Sequence, residues 1–153
     1  MMERVLYEHH QIGYPTIVGL GIGLVAVFLA FALGPKTPET ATALPVVFWV
    51  IVVCGALFST MTVRVTDTAM QWWFGIKAIG RRVDLSDIAS ADVIRTSIFE
   101  GWGIHLTWHG WVWNVAGFNA VQIRLRSGTR YAIGTPEPQA LVAALDRARN
   151  ASS

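Results

Sequence analysis

Residues Gly101 to Gly117 read GWGIHLTWHGWVWNVAG. They hold four of the seven tryptophans and two of the four histidines, His105 and His109. The stretch has three readings: a metal site, a membrane-facing aromatic belt, or part of a small sheet. His109-Gly110 suits a two-residue hairpin turn, because glycine tolerates positive φ. A turn there sets Trp108 opposite Trp111, Leu106 opposite Trp113, Ile104 opposite Val115 and Trp102 opposite Gly117. All of these lie on one face, and the other carries His105, Thr107, Val112, Asn114 and Ala116, with His105 facing Asn114. The segment is read as a β-hairpin whose tryptophan face packs a core. Trp102, Trp108, Trp111 and Trp113 are then candidate core or interaction residues. Cross-strand aromatic pairs of this kind add roughly 0.5–1.5 kcal/mol each beyond area burial. Replacing a buried Trp108 by alanine would cost roughly 3–5 kcal/mol.

The metal reading fails on spacing. On a helix, H-x-x-x-H sets two imidazoles side by side, but the zinc-protease motif also needs Glu after the first His, and here Leu106 follows. On a strand, four residues span about 13 Å. Two ligands each about 2 Å from one zinc cannot sit that far apart. No metal site and no cofactor is expected. Gly19, Gly21 and Gly23 lie in an apolar run, and Gly101 and Gly103 open a strand, so neither set suits a phosphate loop. No Ser-His-Asp or paired-carboxylate arrangement stands out. The chain is read as non-catalytic, with a membrane enzyme as the most distant reading.

Outward from the hairpin the period is two. Met61, Val63 and Val65 alternate with polar residues, Asp67-Thr68-Ala69 turns the chain, and Met70, Trp72 and Phe74 alternate in turn. Further strands are expected at Arg81–Leu85, Ala89–Thr96, Val121–Arg126 and Tyr131–Ile133. A loop at Ser127-Gly128-Thr129, with Gly128 at positive φ, would pair Leu125 with Tyr131 and Ile123 with Ile133. A terminal helix follows, capped by Thr135, with Pro136 and Glu137 in its first turn and Leu141, Val142 and Leu145 as its apolar stripe. Antiparallel strands plus one amphipathic helix suggest a barrel or sandwich closed by that helix.

Toward the N-terminus the composition changes. Of 153 residues, 53% are hydrophobic and only 14% charged, against about 25% charged in a soluble domain. No charge falls between Glu8 and Lys36, or between Glu39 and Arg64. Both gaps exceed the about 20 residues that a helix needs to cross a bilayer. Two transmembrane helices are expected, at about 16–34 and 44–60, with Pro15 and Pro45 in their first turns. Residues 1–15 would be a short cytoplasmic N-terminus and 61–150 a cytoplasmic domain. Gly19 and Gly23, and Gly55 and Ser59, would let the two helices of one chain pack closely. The connecting loop carries Lys36 alone, whereas Arg64, Lys77, Arg81 and Arg82 follow the second helix. The positive-inside rule then places both termini in the cytoplasm and the chain in the cytoplasmic membrane as a multi-pass protein. Net charge of +2 gives no reason to expect nucleic acid, and the single Cys54 permits no disulfide within the chain.

Lys77, Arg81 and Arg82 are the candidate lipid contacts, worth about 1 kcal/mol each near an anionic surface. The plainer reading is a topology signal with ordinary surface charge.

Residues from about Arg64 to Ala148 resemble the bacterial pleckstrin-homology-like domain. The similar segments are Thr66-Asp67, Met70-Gln71-Trp72-Trp73-Phe74-Gly75, Arg82-Val83-Asp84-Leu85-Ser86-Asp87-Ile88, the hairpin itself, Ala120-Val121-Gln122-Ile123 and Ile133-Gly134-Thr135-Pro136-Glu137-Pro138. Some members of that family carry two N-terminal membrane helices. The resemblance implies a membrane-anchored α+β protein: a transmembrane helical hairpin, then a seven-stranded antiparallel sheet or partial barrel closed by a C-terminal helix. It implies no enzymatic activity. Eukaryotic pleckstrin-homology domains often bind phosphoinositides through basic residues in the first strand–loop–strand, but the corresponding turn, Val65 to Gln71, contains Asp67 and no Lys or Arg, so this property is not carried over. The expected function is a binding or scaffolding module, alone or as a homo-oligomer, with partners among membrane lipids, another protein or a second copy. An anionic-lipid sensor using the basic connection is the alternative.

Overall fold

The computed structural model describes residues 3–97 and 103–151. A strand, β1 (Val5–Ile12), comes first, followed by two long helices, α1 (Tyr14–Leu33) and α2 (Pro38–Phe58). Then come β2 (Thr60–Thr66), β3 (Ala69–Phe74), β4 (Ile79–Asp84), a 3-10 turn over Leu85–Asp87, and β5 (Ile88–Arg95). The hairpin of β6 (Gly103–Thr107) and β7 (Gly110–Asn114), then β8 (Asn119–Leu125) and β9 (Arg130–Gly134), complete the strands, and α3 (Pro138–Ala151) ends the chain. The class is α+β. The strands form two sheets, ordered β1-β2-β3-β4 and β5-β8-β9-β7-β6. The described residues thus carry nine strands, not seven, and β7 and β9 run parallel, so the second sheet is mixed.

The N-terminal segment is not a tail. It pairs with β2 from His10↔Thr62 to Ile12↔Thr60, and Gly13 N–H donates to the Ser59 carbonyl at 2.7 Å. The helical hairpin is therefore inserted between two paired strands, with no linker on either side. The far end of β1 is fastened too. Arg4 N–H donates to Asp67 Oδ1 at 3.2 Å, and the Glu3 carboxylate accepts from Arg82 and from the Thr68 hydroxyl.

Both helices are long and apolar enough to cross a membrane, and none of their spans is buried. Helix α2 begins earlier than expected. Thr37 caps it reciprocally with Thr40, and Pro38 takes the first turn, so Pro45 lies in the helix interior, where it removes one i→i−4 hydrogen bond. Gly23 faces Ile51 and Gly55 faces Leu20 across the α1–α2 contact, whereas Gly19 and Gly21 face open space. The close approach of the helices thus uses one glycine from each, not the Gly19–Gly23 pair.

The core lies between the sheets. Trp72 meets Trp113 edge-on at 6.0 Å and Tyr131 at 5.3 Å, and Phe74 stacks on Trp113 at 5.7 Å. Helix α3 adds Leu141, Leu145 and Ala148 to the same cluster. Its first residue is Pro138, two positions later than Thr135 as cap would give, and the buried Thr135 hydroxyl accepts from Glu137 N–H at 3.2 Å.

Two registers differ from expectation by one turn position. In β6–β7, Thr107 pairs with Gly110 and Leu106 with Trp111, so the turn residues are Trp108-His109. Gly110, at φ +92°, closes the turn because its Cα lies against the Arg130 backbone. His105 accordingly faces Val112. In β8–β9, Arg124 pairs with Arg130 and Ile123 with Tyr131, and Gly128 takes φ +89° as expected. Each turn moved by one residue, which shifts partners by two and leaves the apolar face unchanged.

Candidate functional site

Two ends of the sheet domain can be distinguished. The helix end is marked by Gly13, whose Cα packs against Val115 and the Ser59 carbonyl. The far end carries the β6–β7 turn, about 16 Å away along β7.

The predicted tryptophan face is divided between core and solvent. Trp113 is 6% exposed and belongs to the core. Trp111 is 44% exposed, and Leu106 and Trp108 are each 67% exposed. Trp108 is thus not a core residue, because it occupies the turn rather than a strand pair. Trp102 lies outside the described residues. Leu106, Trp111, Tyr131 and Ile123 make one row across the second sheet. Tyr131 and Ile123 are buried, so the row starts in the core and emerges at the β6 edge. The outcome is an exposed apolar tip of Leu106, Trp108 and Trp111 at the end of the second sheet opposite the helices. Arg124 and Arg130, opposed on the other face of β8 and β9, are exposed nearby. Like charges set directly opposite are destabilising unless something compensates them.

The predicted basic connection is also divided. Lys77 stands in the β3–β4 turn at the helix end, at φ +68°. Gly75 precedes it at φ +48°, pressed against the carbonyls of Ala56 and Leu57, and no Cβ would fit there. Ile76 between them is 77% exposed. The Lys77 ammonium lies 4.6 Å from the Trp73 ring centre, and the Arg64 guanidinium lies 5.2 Å from it. Arg82 is three rungs further up β4, about 10 Å from the turn, where it pairs with Glu3 at 2.6 Å and Asp84 at 3.7 Å. Arg81 is exposed beside it and alternates to the opposite side of the strand. Lys77, Arg81 and Arg82 line one shallow groove of about 310 Å³ with Trp73, but they do not form one free cationic cluster. The hydrogen bond from Arg82 holds the Glu3 carboxyl below the usual carboxylate range, and that from Arg64 does the same for Glu8.

A larger cleft, of about 490 Å³, opens at the helix end between β1, the β7–β8 connection and the link from β9 to α3. His9, His10, Tyr14, Phe118, Asn119 and Thr135 line it. The His9 ring sits 3.4 Å from Glu137, and the His10 ring exchanges a hydrogen bond with the Thr62 hydroxyl at 2.9 Å. Burial pushes the neighbouring Tyr7 phenol above its ordinary value. Sequence reasoning did not find this cleft. It depends on Asn119 and Thr135, far away in sequence, and on a strand read as a tail. Among the described residues no three His, Cys, Asp or Glu side chains gather to hold a metal ion.

No family model matches the chain, and no curated protein matches its sequence.

Proposed function

We propose that the chain is an integral membrane protein that crosses the bilayer twice, through α1 and α2, and displays its sheet domain in the cytoplasm as a non-catalytic binding or scaffolding module. Two bare apolar helices support the spanning. A small soluble domain leaves no such surface to water. The resemblance to bacterial pleckstrin-homology-like domains supports the module, with a sheet closed by a C-terminal helix as the shared plan. The observation that carries the binding role is the exposed Leu106, Trp108 and Trp111 tip. Tryptophan is enriched among the residues that anchor protein interfaces. The partner is a protein or a second copy of the chain, because the tip faces away from the membrane.

A photo-crosslinking residue in place of Trp108 in native membranes tests this. A discrete adduct, lost on Leu106→Ser with Trp111→Ser while the fold persists, is the expected result. Absence of any adduct from a folded, membrane-inserted chain refutes it.

The second reading is an anionic-lipid contact through Lys77, favoured by the exposed Ile76 beside it at the helix end. It requires that vesicle binding weaken with salt and with loss of Lys77, Arg81 and Arg82.

A further inference from the structure

We propose that the helix-end cleft binds the phosphodiester of a phospholipid headgroup taken from the leaflet that the sheet domain faces. The inference rests on α1 and α2 crossing the membrane and is independent of what docks on the tryptophan tip. Position is the first argument. Ile12 and Tyr14 belong to the lining, and they flank Gly13, where β1 becomes α1. The Gly13–Ser59 hydrogen bond fixes the entry of α1 and the exit of α2 at one level. If the helices span the bilayer, the cleft mouth is therefore at headgroup depth.

Chemistry is the second argument. Phosphate oxygens are acceptors only and need donors around them. Among the lining residues, His9, Tyr14, Asn119 and Thr135 carry side-chain donors and none is Asp or Glu; the His10 ring is turned to Thr62 on the other face of β1, and Glu137, outside the lining, lies 3.4 Å from His9 Nδ1. A cleft of about 490 Å³ lies within the range of small-ligand sites. The rim is the third argument. Tyr14 is 68% exposed and Phe118 36% exposed, both at the helix end. Aromatic residues favour the headgroup level, where the ring meets acyl chains and a polar tip meets water. The cleft holds no Lys or Arg. Recognition would work through hydrogen bonds, which separates this site from the Lys77 groove.

The test uses the full chain stripped of lipid in detergent and read by native mass spectrometry. It is titrated with phosphatidylglycerol, with a galactolipid that lacks phosphate, and with inorganic phosphate. One equivalent of phosphatidylglycerol should be retained and the galactolipid should not. Asn119→Asp should lower retention at least tenfold, while Arg124→Glu, a charge reversal at the exposed far end of the second sheet, changes it less than twofold. In nanodiscs of phosphatidylglycerol, 31P should dephase the Asn119 side-chain nitrogen in solid-state NMR, a measurement that needs no variant. Equal retention of the galactolipid, indifference to Asn119→Asp, or absence of 31P dephasing overturns the proposal. Displacement by equimolar inorganic phosphate also overturns it, by making the ligand a soluble phosphate. A chain that does not insert into nanodiscs refutes the spanning reading itself, whereas insertion without lipid retention refutes only the cleft.

Discussion

Trp113 is flanked by Trp72 and Phe74, with ring centres at 6.0 and 5.7 Å. Five residues earlier, Trp108 has its indole in solvent. The two side chains are chemically the same, so the difference in environment sets the difference in energy. Removing a buried tryptophan forfeits its transfer energy and leaves a cavity that the rigid sheets cannot close. Trp113→Ala should cost about 3–5 kcal/mol, and Trp108→Ala should change stability by less than about 0.5 kcal/mol. Urea unfolding of the detergent-solubilised chain, followed by near-UV circular dichroism, measures both. A large loss from Trp108→Ala would mean that the tip is covered in the folded protein.

At the scale of elements, glycine separates turns that need only a conformation from turns that also need space. Gly110 and Gly128 both have positive φ. A Cβ on Gly128 would meet nothing, while one on Gly110 would press into the Arg130 backbone. Gly128→Ala should cost about 1–2 kcal/mol from left-handed backbone strain alone. Gly110→Ala should cost more and lower Tm further, because β7 must also move off β9. Equal shifts in Tm would show that β7 and β9 do not pack as described. The same distinction explains what the sequence made legible. Alternation in Met61–Val65 and Met70–Phe74 was enough to find β2 and β3, and the uncharged runs were enough to find α1 and α2. The turn in the hairpin was misplaced by one residue because the Arg130 contact that selects Gly110 as its closing position is a tertiary fact. Strand β1 was missed because Tyr7 to Ile12 alternates weakly, and only pairing with β2 across the inserted helices makes it a strand. The cleft was missed because its walls meet only in the fold, where the Gln11 amide donates to the Gly134 carbonyl at 2.6 Å and Thr135 N–H to the Asn119 carbonyl at 3.0 Å. The candidate cations were found, but alternation along β4 could not reveal that Glu3 takes Arg82 out of the set.

At the scale of the molecule, the insertion of α1 and α2 between paired strands constrains topology more strongly than the count of basic residues does. Strands β1 and β2 are hydrogen-bonded neighbours, so the segment before α1 and the domain after α2 lie on one side of whatever the helices cross. The Pro35–Thr37 connection is at the other end of the helices. Single cysteines in a Cys54→Ala background test this: Val5→Cys, Ser127→Cys and Lys36→Cys, all at exposed positions. In sealed vesicles an impermeant maleimide should label positions 5 and 127 together and position 36 from the opposite side. The positive-inside rule adds that positions 5 and 127 react from the cytoplasmic side, since Arg64, Lys77, Arg81 and Arg82 outnumber Lys36. The two parts of the result are separable. Labelling of 5 and 127 from the periplasmic or external face would reverse the orientation and keep the fold. Labelling of 5 and 127 from opposite faces would break the β1–β2 pairing, and with it the cleft that β1 helps to line.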